Sequence, residues 1–246
     1  MNSFLVGNWT IFFINVVSNC MFQNSKVPIC AWLKVIYYFA CDAQLYQIEH
    51  YVKEVSKKTL IKMMAKLRQI CRSEVNILEE TLVFGNEVEC ICNVEIDEAC
   101  FGKKRKLSKG KTYKKVRVFG ITERNSNKVL FKLVQKRDKA TLLPIIKKHI
   151  STAATIHHDD WPAYRKLSSF GYKHLIVNHS KSFKGSNGAC TNTIEGIWGV
   201  MKQRISRMHG MEISRLESYL CEYAFRYYHK DNMLSALMSG IASYKL

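Results

Sequence analysis

The order of strand and helix patterns after residue 86 most constrains what this chain can fold into. Three strand patterns come first, and helical patterns then alternate with two further strand patterns. The predicted strands are residues 87–97, 114–125, 128–138, 155–159 and 174–180, and the predicted helices are residues 139–150, 161–171, 191–210 and 215–230. The Asn125-Ser126-Asn127 segment predicts a hairpin turn between the second and third strands.

This order predicts an α/β fold in which a mixed sheet is flanked by helices. It is the order of the ribonuclease H-like fold. Two of the predicted helices carry signals of their own. Pro144 lies inside residues 139–150 and predicts a kink or a break there. Pro162 lies in the first turn of residues 161–171, where its missing N–H costs nothing, and Gly171 is placed to end that helix.

The region in front of the sheet is predicted to be helical. Apolar residues recur at helical spacing over residues 29–72, and Ser56 is placed to cap the second of two helices. The spacing fits a helix-turn-helix whose second, basic helix lies in a DNA groove, and a plain helical hairpin is the alternative. We therefore expect a helical region over residues 1–80, an α/β domain over residues 86–232 and a tail over residues 233–246.

The apolar stretch over residues 4–17 is the candidate for a membrane or export signal. A membrane span needs about 20 apolar residues, and a signal peptide begins with basic residues that this stretch lacks. We expect a buried segment, no membrane association, and a signal sequence only as the alternative. The 9 cysteines form no framework, which predicts reduced thiols and a nuclear location in a eukaryote or a cytoplasmic one otherwise.

The net charge indicates the class of partner. The chain has 38 Lys and Arg residues against 20 Asp and Glu residues, a formal net charge of +18. An excess this large favours a polyanionic partner, most often nucleic acid. A merely basic protein without such a partner is the alternative.

Three acidic residues fall at positions where α/β folds build their sites. Asp97 and Asp159 end the first and fourth predicted strands, and Glu195 lies in the first turn of the long helix after the fifth. Ligands bind outside the carboxyl ends of such strands, where these carboxylates would converge and repel one another. Two Mg²⁺ or Mn²⁺ ions, which prefer oxygen ligands, would relieve that repulsion and suit phosphodiester chemistry.

Each of these acids also has a structural alternative. Asp97 would simply cap a strand end, with Glu95 and Glu98 as competing acids. Glu95 shares a strand face with Asp97, so spacing alone does not choose between these two. Asp159 or its neighbour Asp160 would serve as a helix N-cap, and Glu195 would complete a capping box begun at Asn192.

Four sequence blocks resemble the catalytic core of the Merlin-type DDE transposases and their bacterial relatives, the insertion sequences with an ISXO-type transposase domain. The blocks are VEIDEACFG (94–102), TIHHDDWPAY (155–164), VNHS (177–180) and TNTIEGIWGVMKQR (191–204). The resemblance extends over roughly residues 20–230. It implies catalytic, metal-binding roles for Asp97, Asp159 and Glu195, two Mg²⁺ or Mn²⁺ ions, double-stranded DNA at transposon ends and target as the partner, and a homo-oligomer.

Several further residues are candidates for contacts with DNA or for lining the site. His179 of the VNHS block and Asn192 are predicted to line it, and Trp198 is predicted to pack in the core. His157 and His158 point to opposite faces of a strand, which argues against a zinc site. The predicted DNA contacts, for which a solvated charge run is the alternative, are Lys103, Lys104, Arg105, Lys106, Lys109, Lys111, Lys202 and Arg204.

The resemblance leaves the function itself with alternatives. Members of the family commonly carry a cysteine-rich zinc ribbon before the helical region, and this chain offers only Cys20 and Cys30 there. We expect a transposase core that cleaves DNA and transfers strands. A transposase-derived DNA-binding protein without transposition activity is one alternative, and a structure-selective nuclease of the same fold is another.

Overall fold

The computed structural model describes residues 22, 25–86, 92–102, 115–177, 190–208 and 212–244. The described residues fall into two compact units. One contains the residues up to Leu78 together with those from His229 onward, and the other is Glu79–Tyr228.

The first unit is helical. Its helices are α1 (Ile29–Ala40), α2 (Leu45–Tyr51), α3 (Lys57–Thr81, which continues into the second unit) and α7 (Met233–Ser243). Apolar side chains at helical spacing form the buried faces of α1 and α3. The Ser56 hydroxyl accepts a hydrogen bond from the Thr59 N–H, which confirms the predicted cap of α3. Residues expected to form a tail instead make α7, whose Gly240 packs against Ile70.

The second unit is built on one five-stranded sheet. Its strands are β1 (Asn93–Phe101), β2 (Val116–Glu123), β3 (Val129–Val134), β4 (Thr155–Asp159) and β5 (Lys173–Val177). Its helices are α4 (Lys139–His149), α5 (Asn192–Arg207) and α6 (Leu216–Tyr228).

The strand order is β3-β2-β1-β4-β5. β1, β2 and β3 pair antiparallel, whereas β4 is parallel to both β1 and β5. Short connections between consecutive strands give the antiparallel pairs of β1, β2 and β3. The longer connections that precede β4 and β5 allow these strands to run parallel to their neighbours. The mixed sheet flanked by helices, in the ribonuclease H-like order, is therefore confirmed.

The two faces of the sheet bury different side chains. Val94 and Ile96 of β1 join a core that includes Phe119, Leu142 and Tyr164. Glu95 and Asp97 alternate with them and point to the other face, where their side chains contact residues of α5. The acidic Glu95 and Asp97 thus occupy one face of this central strand, opposite the apolar Val94 and Ile96.

Three local predictions were wrong. β1 does not end at Asp97 but continues to Phe101, because β2 provides pairing partners over that whole length. Pro144 does not break α4, so the predicted break is wrong, whereas the predicted kink stays a prediction; the Pro144 side chain is exposed. Residues 161–171 form two short 3₁₀ turns, Pro162–Tyr164 and Leu167–Phe170, which bury Tyr164 and Leu167.

Gly171 ends the second 3₁₀ turn with a φ of +84°, as expected for a left-handed stop. No helix among the described residues is long and apolar enough to cross a membrane.

Candidate active site

The pairing of β1 with β4 brings Asp97 and Asp159 to the same level of the sheet. The ladder between these parallel strands ends at the pair Glu95 and His157. Asp97 lies two residues beyond Glu95, and Asp159 lies two residues beyond His157. β4 ends at Asp159, whereas β1 continues past Asp97, so both residues lie just beyond the end of the parallel ladder, which we call the opening between the two strands.

Asp97 is held by α5 from one side. The Trp198 indole Nε1 donates a hydrogen bond of 3.1 Å to Asp97 Oδ2. Burial, together with the negative charges of Glu98, Asp159 and Glu195, raises the pKa of Asp97 to about 7. An ionised Asp97 is therefore costly without a compensating cation.

Asp159 has an oxygen without a partner. Its Oδ1 is buried and makes no hydrogen bond with any described residue. Its Oδ2 lies 3.8 Å from an Arg137 nitrogen. A buried carboxylate oxygen left unpaired costs free energy unless a ligand satisfies it. Asp160 differs, because it is exposed and its carboxylate lies 3.3 Å from the Arg165 Nε.

A cluster around Arg137 stands behind Asp159. The Arg137 Nε donates to Glu98 at 2.7 Å, and its guanidinium lies 3.9 Å from the centre of the Trp161 ring. Glu98 also accepts a hydrogen bond from the Tyr164 hydroxyl. Burial and the neighbouring Glu98 carboxylate raise the pKa of Tyr164 well above its usual value, so the phenol stays protonated and donates. The part of Arg137 in this cluster was not predicted, because Arg137 stands in no position that spacing singles out.

Glu95 is used for structure, which distinguishes it from Asp97. It is fully buried and accepts hydrogen bonds from Arg124 Nε at 2.6 Å, Thr193 Oγ1 at 3.1 Å and the Ile194 N–H at 2.9 Å. Two of these donors belong to the first turn of α5, where a carboxylate satisfies free N–H groups and complements the helix dipole. Glu95 therefore ties the start of α5 to β1.

The start of α5 sets the position of Glu195. The N-cap residue is Thr191 rather than Asn192, so the capping box expected at Asn192 does not form. The Thr191 hydroxyl donates to Glu195 Oε1 at 2.7 Å. Arg124 also donates to the Cys190 carbonyl, and the Cys190 N–H donates to His157 Nδ1. Glu195 is exposed and close enough for its charge to act on Asp97.

The two histidines of β4 have separate partners. His157 Nε2 lies 2.8 Å from Asn93 Oδ1, whereas His158 Nε2 lies 2.8 Å from His174 Nδ1. Burial, assisted by the charge of Arg124, lowers the pKa of His157 to about 4, and burial also lowers the pKa of His158. Both rings are therefore neutral structural groups at neutral pH, in agreement with the expected divergence of adjacent strand side chains.

The donor set of the opening fits a hard cation. Asp97, Asp159 and Glu195 offer only carboxylate oxygens, which Mg²⁺ and Mn²⁺ prefer. The unpaired Oδ1 of Asp159 and the raised pKa of Asp97 are both features that a bound cation would relieve. Among the described residues, no three His, Cys, Asp or Glu side chains stand close enough together to enclose one ion jointly.

The remaining predicted site residues differ in what the structure says of them. His179 and the basic residues from Lys103 to Lys111 lie outside the described residues. Asn192 is exposed in the first turn of α5, and Lys202 is exposed further along it. Arg204 lies 3.5 Å from Glu222 of α6. Trp198 is buried as expected, between Phe101 and Phe131.

Comparison with known proteins gives a family match and several relatives. Residues 92–228 match the model of the ISXO2-like transposase domain. An uncharacterized transposase-like protein of Haemophilus influenzae is 29% identical over 112 residues, which is 45% of this chain and 90% of the relative. The match begins at Cys92, so the helical region before the sheet lies outside it.

Two kinds of solved structure are also similar. The crystal structure of a pre-cleavage Mos1 transpososome has 12% identity and a TM-score of 0.35, covering 87% of this chain and 79% of that one. The catalytic core domain of the HTLV-2 integrase in complex with magnesium, in its trimeric form, has 12% identity and a TM-score of 0.31, covering 55% of this chain and 84% of that one.

Proposed function

The chain belongs to the family of ISXO2-like transposase domains, and from that membership we propose that it is a metal-dependent DNA transposase core. In the proposed reaction, water attacks a phosphodiester at the end of the element and breaks its P–O3′ bond, which leaves a 3′-hydroxyl and a 5′-phosphate. The freed 3′-hydroxyl then attacks a phosphorus of target DNA in line and displaces one of its bridging oxygens.

One observation carries the proposal. At the opening between β1 and β4, Asp159 has a buried oxygen to which no described residue donates a hydrogen bond, and Asp97, close enough for the Asp159 charge to act on it, has its pKa raised to about 7. Such a pair is unfavourable in the folded protein by itself. Its location just beyond the end of the parallel β1–β4 ladder, with Asp159 as the last residue of β4, supports a functional rather than a structural role.

Each acidic residue has a defined part in the proposal. Asp97, Asp159 and Glu195 would hold two Mg²⁺ or Mn²⁺ ions. These ions would supply Lewis-acid stabilisation of the charge that develops on the phosphate and would make the attacking hydroxyl more acidic. Glu95 and Arg124 fix the start of α5, the helix whose first turn carries Glu195.

Contacts with DNA would extend over the positive surface. The basic residues from Lys103 to Lys111, together with Lys202 and Arg204, would bind phosphates of the two element ends and the target. Two ends have to be cut and joined in one event, so we propose a homo-oligomer as the working form.

Nicking of supercoiled DNA in the presence of Mn²⁺ tests the proposal. Wild type, Asp159→Ala and Asp160→Ala are compared at equal protein concentration. Asp160 is the matched control, because it is the adjacent aspartate and its carboxylate is exposed beside Arg165. We expect nicking to be lost in Asp159→Ala and retained in Asp160→Ala. The joining step is followed separately, as strand transfer of a labelled element end with a free 3′-hydroxyl into a plasmid.

The other outcomes separate the alternatives. Activity lost only in Asp160→Ala would contradict the assignment of Asp159. Salt-sensitive DNA binding without nicking in wild type, even on true element ends, would favour a transposase-derived DNA-binding protein. Nicking without strand transfer would favour a structure-selective nuclease.

A further inference from the structure

We propose that Trp198 is a positioning residue, whose indole N–H orients the Asp97 carboxylate for metal binding, and that Gly120 makes room for it. The inference rests on the proposed function, because it assigns a partner to one of the proposed metal ligands. Trp198 itself would touch neither DNA nor metal.

The hydrogen bond connects two different elements. Trp198 lies on α5 and Asp97 lies on β1, and the 3.1 Å bond joins Nε1 to Oδ2. A carboxylate in the middle of a strand has torsional freedom about its last bond. With one oxygen engaged by the indole N–H, the other is directed away from the indole, and a neutral donor adds no positive charge that would compete with a cation.

The indole is held firmly enough to fix an orientation. Only 3% of Trp198 is exposed. Its ring packs edge-on against Phe101, with ring centres 6.1 Å apart, and against Phe131, with ring centres 5.3 Å apart. A rotation of the ring would break these contacts, so the N–H remains aimed at Asp97.

Gly120 supplies the space for the ring. It is the β2 residue directly paired with Asp97 across the ladder. A Cβ at Gly120 would lie 2.4 Å and 2.7 Å from two carbons of the Trp198 ring, which is far below a permitted contact. Backbone strain is no reason for glycine here, since Gly120 is not among the glycines with positive φ. The absence of a side chain therefore serves the approach of the indole to Asp97.

A hydrogen-bonding partner of a metal ligand has measurable consequences. Removal of such a partner weakens metal affinity roughly 10- to 100-fold in proteins where it has been tested. We expect Trp198→Phe, which keeps an aromatic ring but removes the N–H, to weaken the binding of Mn²⁺ by roughly 10-fold or more. We expect Gly120→Ala, which displaces the ring, to weaken the binding of Mn²⁺ as well.

The test is calorimetric titration of the full chain with Mn²⁺ alone. The variants are Trp198→Phe, Asp97→Ala and the matched control Trp32→Phe, which removes a buried indole N–H that donates to Ser25 Oγ in the helical unit. We expect Asp97→Ala to lose Mn²⁺ binding and Trp32→Phe to retain it. Folding of each variant is checked by circular dichroism.

The outcomes distinguish this inference from the proposed function. If Asp97→Ala binds Mn²⁺ like wild type, the proposed metal site is wrong and the inference falls with it. If Asp97→Ala loses binding while folded Trp198→Phe keeps a Mn²⁺ affinity within about twofold of wild type, only the inference is overturned. A change of that size is smaller than the effect of removing a hydrogen-bonding partner from a metal ligand.

A spectroscopic measurement on wild type covers the case in which Trp198→Phe does not fold. The chain contains 4 tryptophans, so the indole N–H region of a ¹H–¹⁵N spectrum holds few signals. The Trp198 signal is assigned by elimination, by replacing Trp9, Trp32 and Trp161 in turn. We expect saturating Mg²⁺ to move this signal upfield in wild type, because the cation withdraws charge from the carboxylate that accepts the bond. A signal unmoved at saturation would overturn the inference.

Discussion

The three acids of β1 have different environments, although they stand within four residues of one another. Glu95 is neutralised by Arg124 and by the start of α5. Glu98 is neutralised by Arg137 and bound by Tyr164. Among the described side chains, the neutral indole of Trp198 is the donor to Asp97, and the pKa of Asp97 is raised by burial and by like charges. Environment rather than residue type separates the two structural acids from the candidate metal ligand.

The raised pKa of Asp97 predicts how stability depends on pH without metal. The folded protein keeps the Asp97 proton up to about pH 7, whereas the unfolded chain releases it above about pH 3.9. Between these values the folded state binds more protons, so this contribution to stability is fully present below about pH 4 and is lost as the pH rises through 7. Each unit of such a shift corresponds to about 1.4 kcal/mol at most.

Asp97→Asn isolates that contribution. The variant has no proton to lose, so we expect it to be more stable than wild type at pH 8 in the presence of a chelator, with the difference vanishing toward pH 4. Melting temperatures of both proteins over this pH range provide the measurement. Saturating Mn²⁺ should reverse the order at pH 8, since only wild type retains the ligand. An equal pH dependence for the two proteins would contradict the raised pKa.

At the scale of elements, the site depends on how the first turn of α5 is joined to the sheet. Glu95 accepts from two donors of that turn, and Arg124 links β2 to the residue just before it. The fully buried carboxylate is thus matched by a cation and by helix N–H groups. This connection holds the helix that carries both Glu195 and Trp198.

Glu95→Ala should therefore be strongly destabilising. The substitution leaves the Arg124 guanidinium without its carboxylate and the Ile194 N–H without its acceptor. Loss of one member of a buried ion pair costs about 3–5 kcal/mol. Urea unfolding measures the change, and Glu95→Gln is the control that keeps the shape and part of the hydrogen bonding. Asp97→Ala should not show this loss. Wild-type stability in Glu95→Ala would mean that the start of α5 is held by other contacts.

At the scale of the whole molecule, the formal charge of +18 would dominate the proposed interaction with DNA. A net charge of this size attracts any polyanion, so attraction alone does not identify the contact surface. The slope of binding against salt is more informative, because each phosphate neutralised in the complex releases counterions.

Two variants, each lacking four positive charges at a different location, test the predicted DNA-binding surface. One variant replaces Lys103, Lys104, Arg105 and Lys106 by Gln. The control replaces Lys136, Lys148, Lys166 and Lys173, which are exposed and carry the same total charge. For the first variant we expect the slope of log K against log salt to fall by about 0.9 per lost phosphate contact, with little change for the control. Fluorescence anisotropy with a labelled duplex measures both, and equal slopes would indicate an effect of net charge alone.

The sequence by itself determined the order of elements, the antiparallel hairpin and the class of fold, because these depend on local periodicity and on short connections. It also determined the family, which the match over residues 92–228 confirms. It did not choose between Glu95 and Asp97, because both lie on one face of the same strand. That choice depends on Arg124 and the start of α5, which are distant in sequence.

Only the tertiary structure decided which side chains surround the candidate ligands. The length of β1 depends on its pairing with β2. The partners of the acids come from separate elements: Trp198 from α5, Gly120 from β2, and Arg137 from the segment before α4. No local pattern marks a glycine that admits an indole or an arginine that approaches an aspartate. Such contacts arise when the strands and helices pack, since close packing joins residues far apart in the chain.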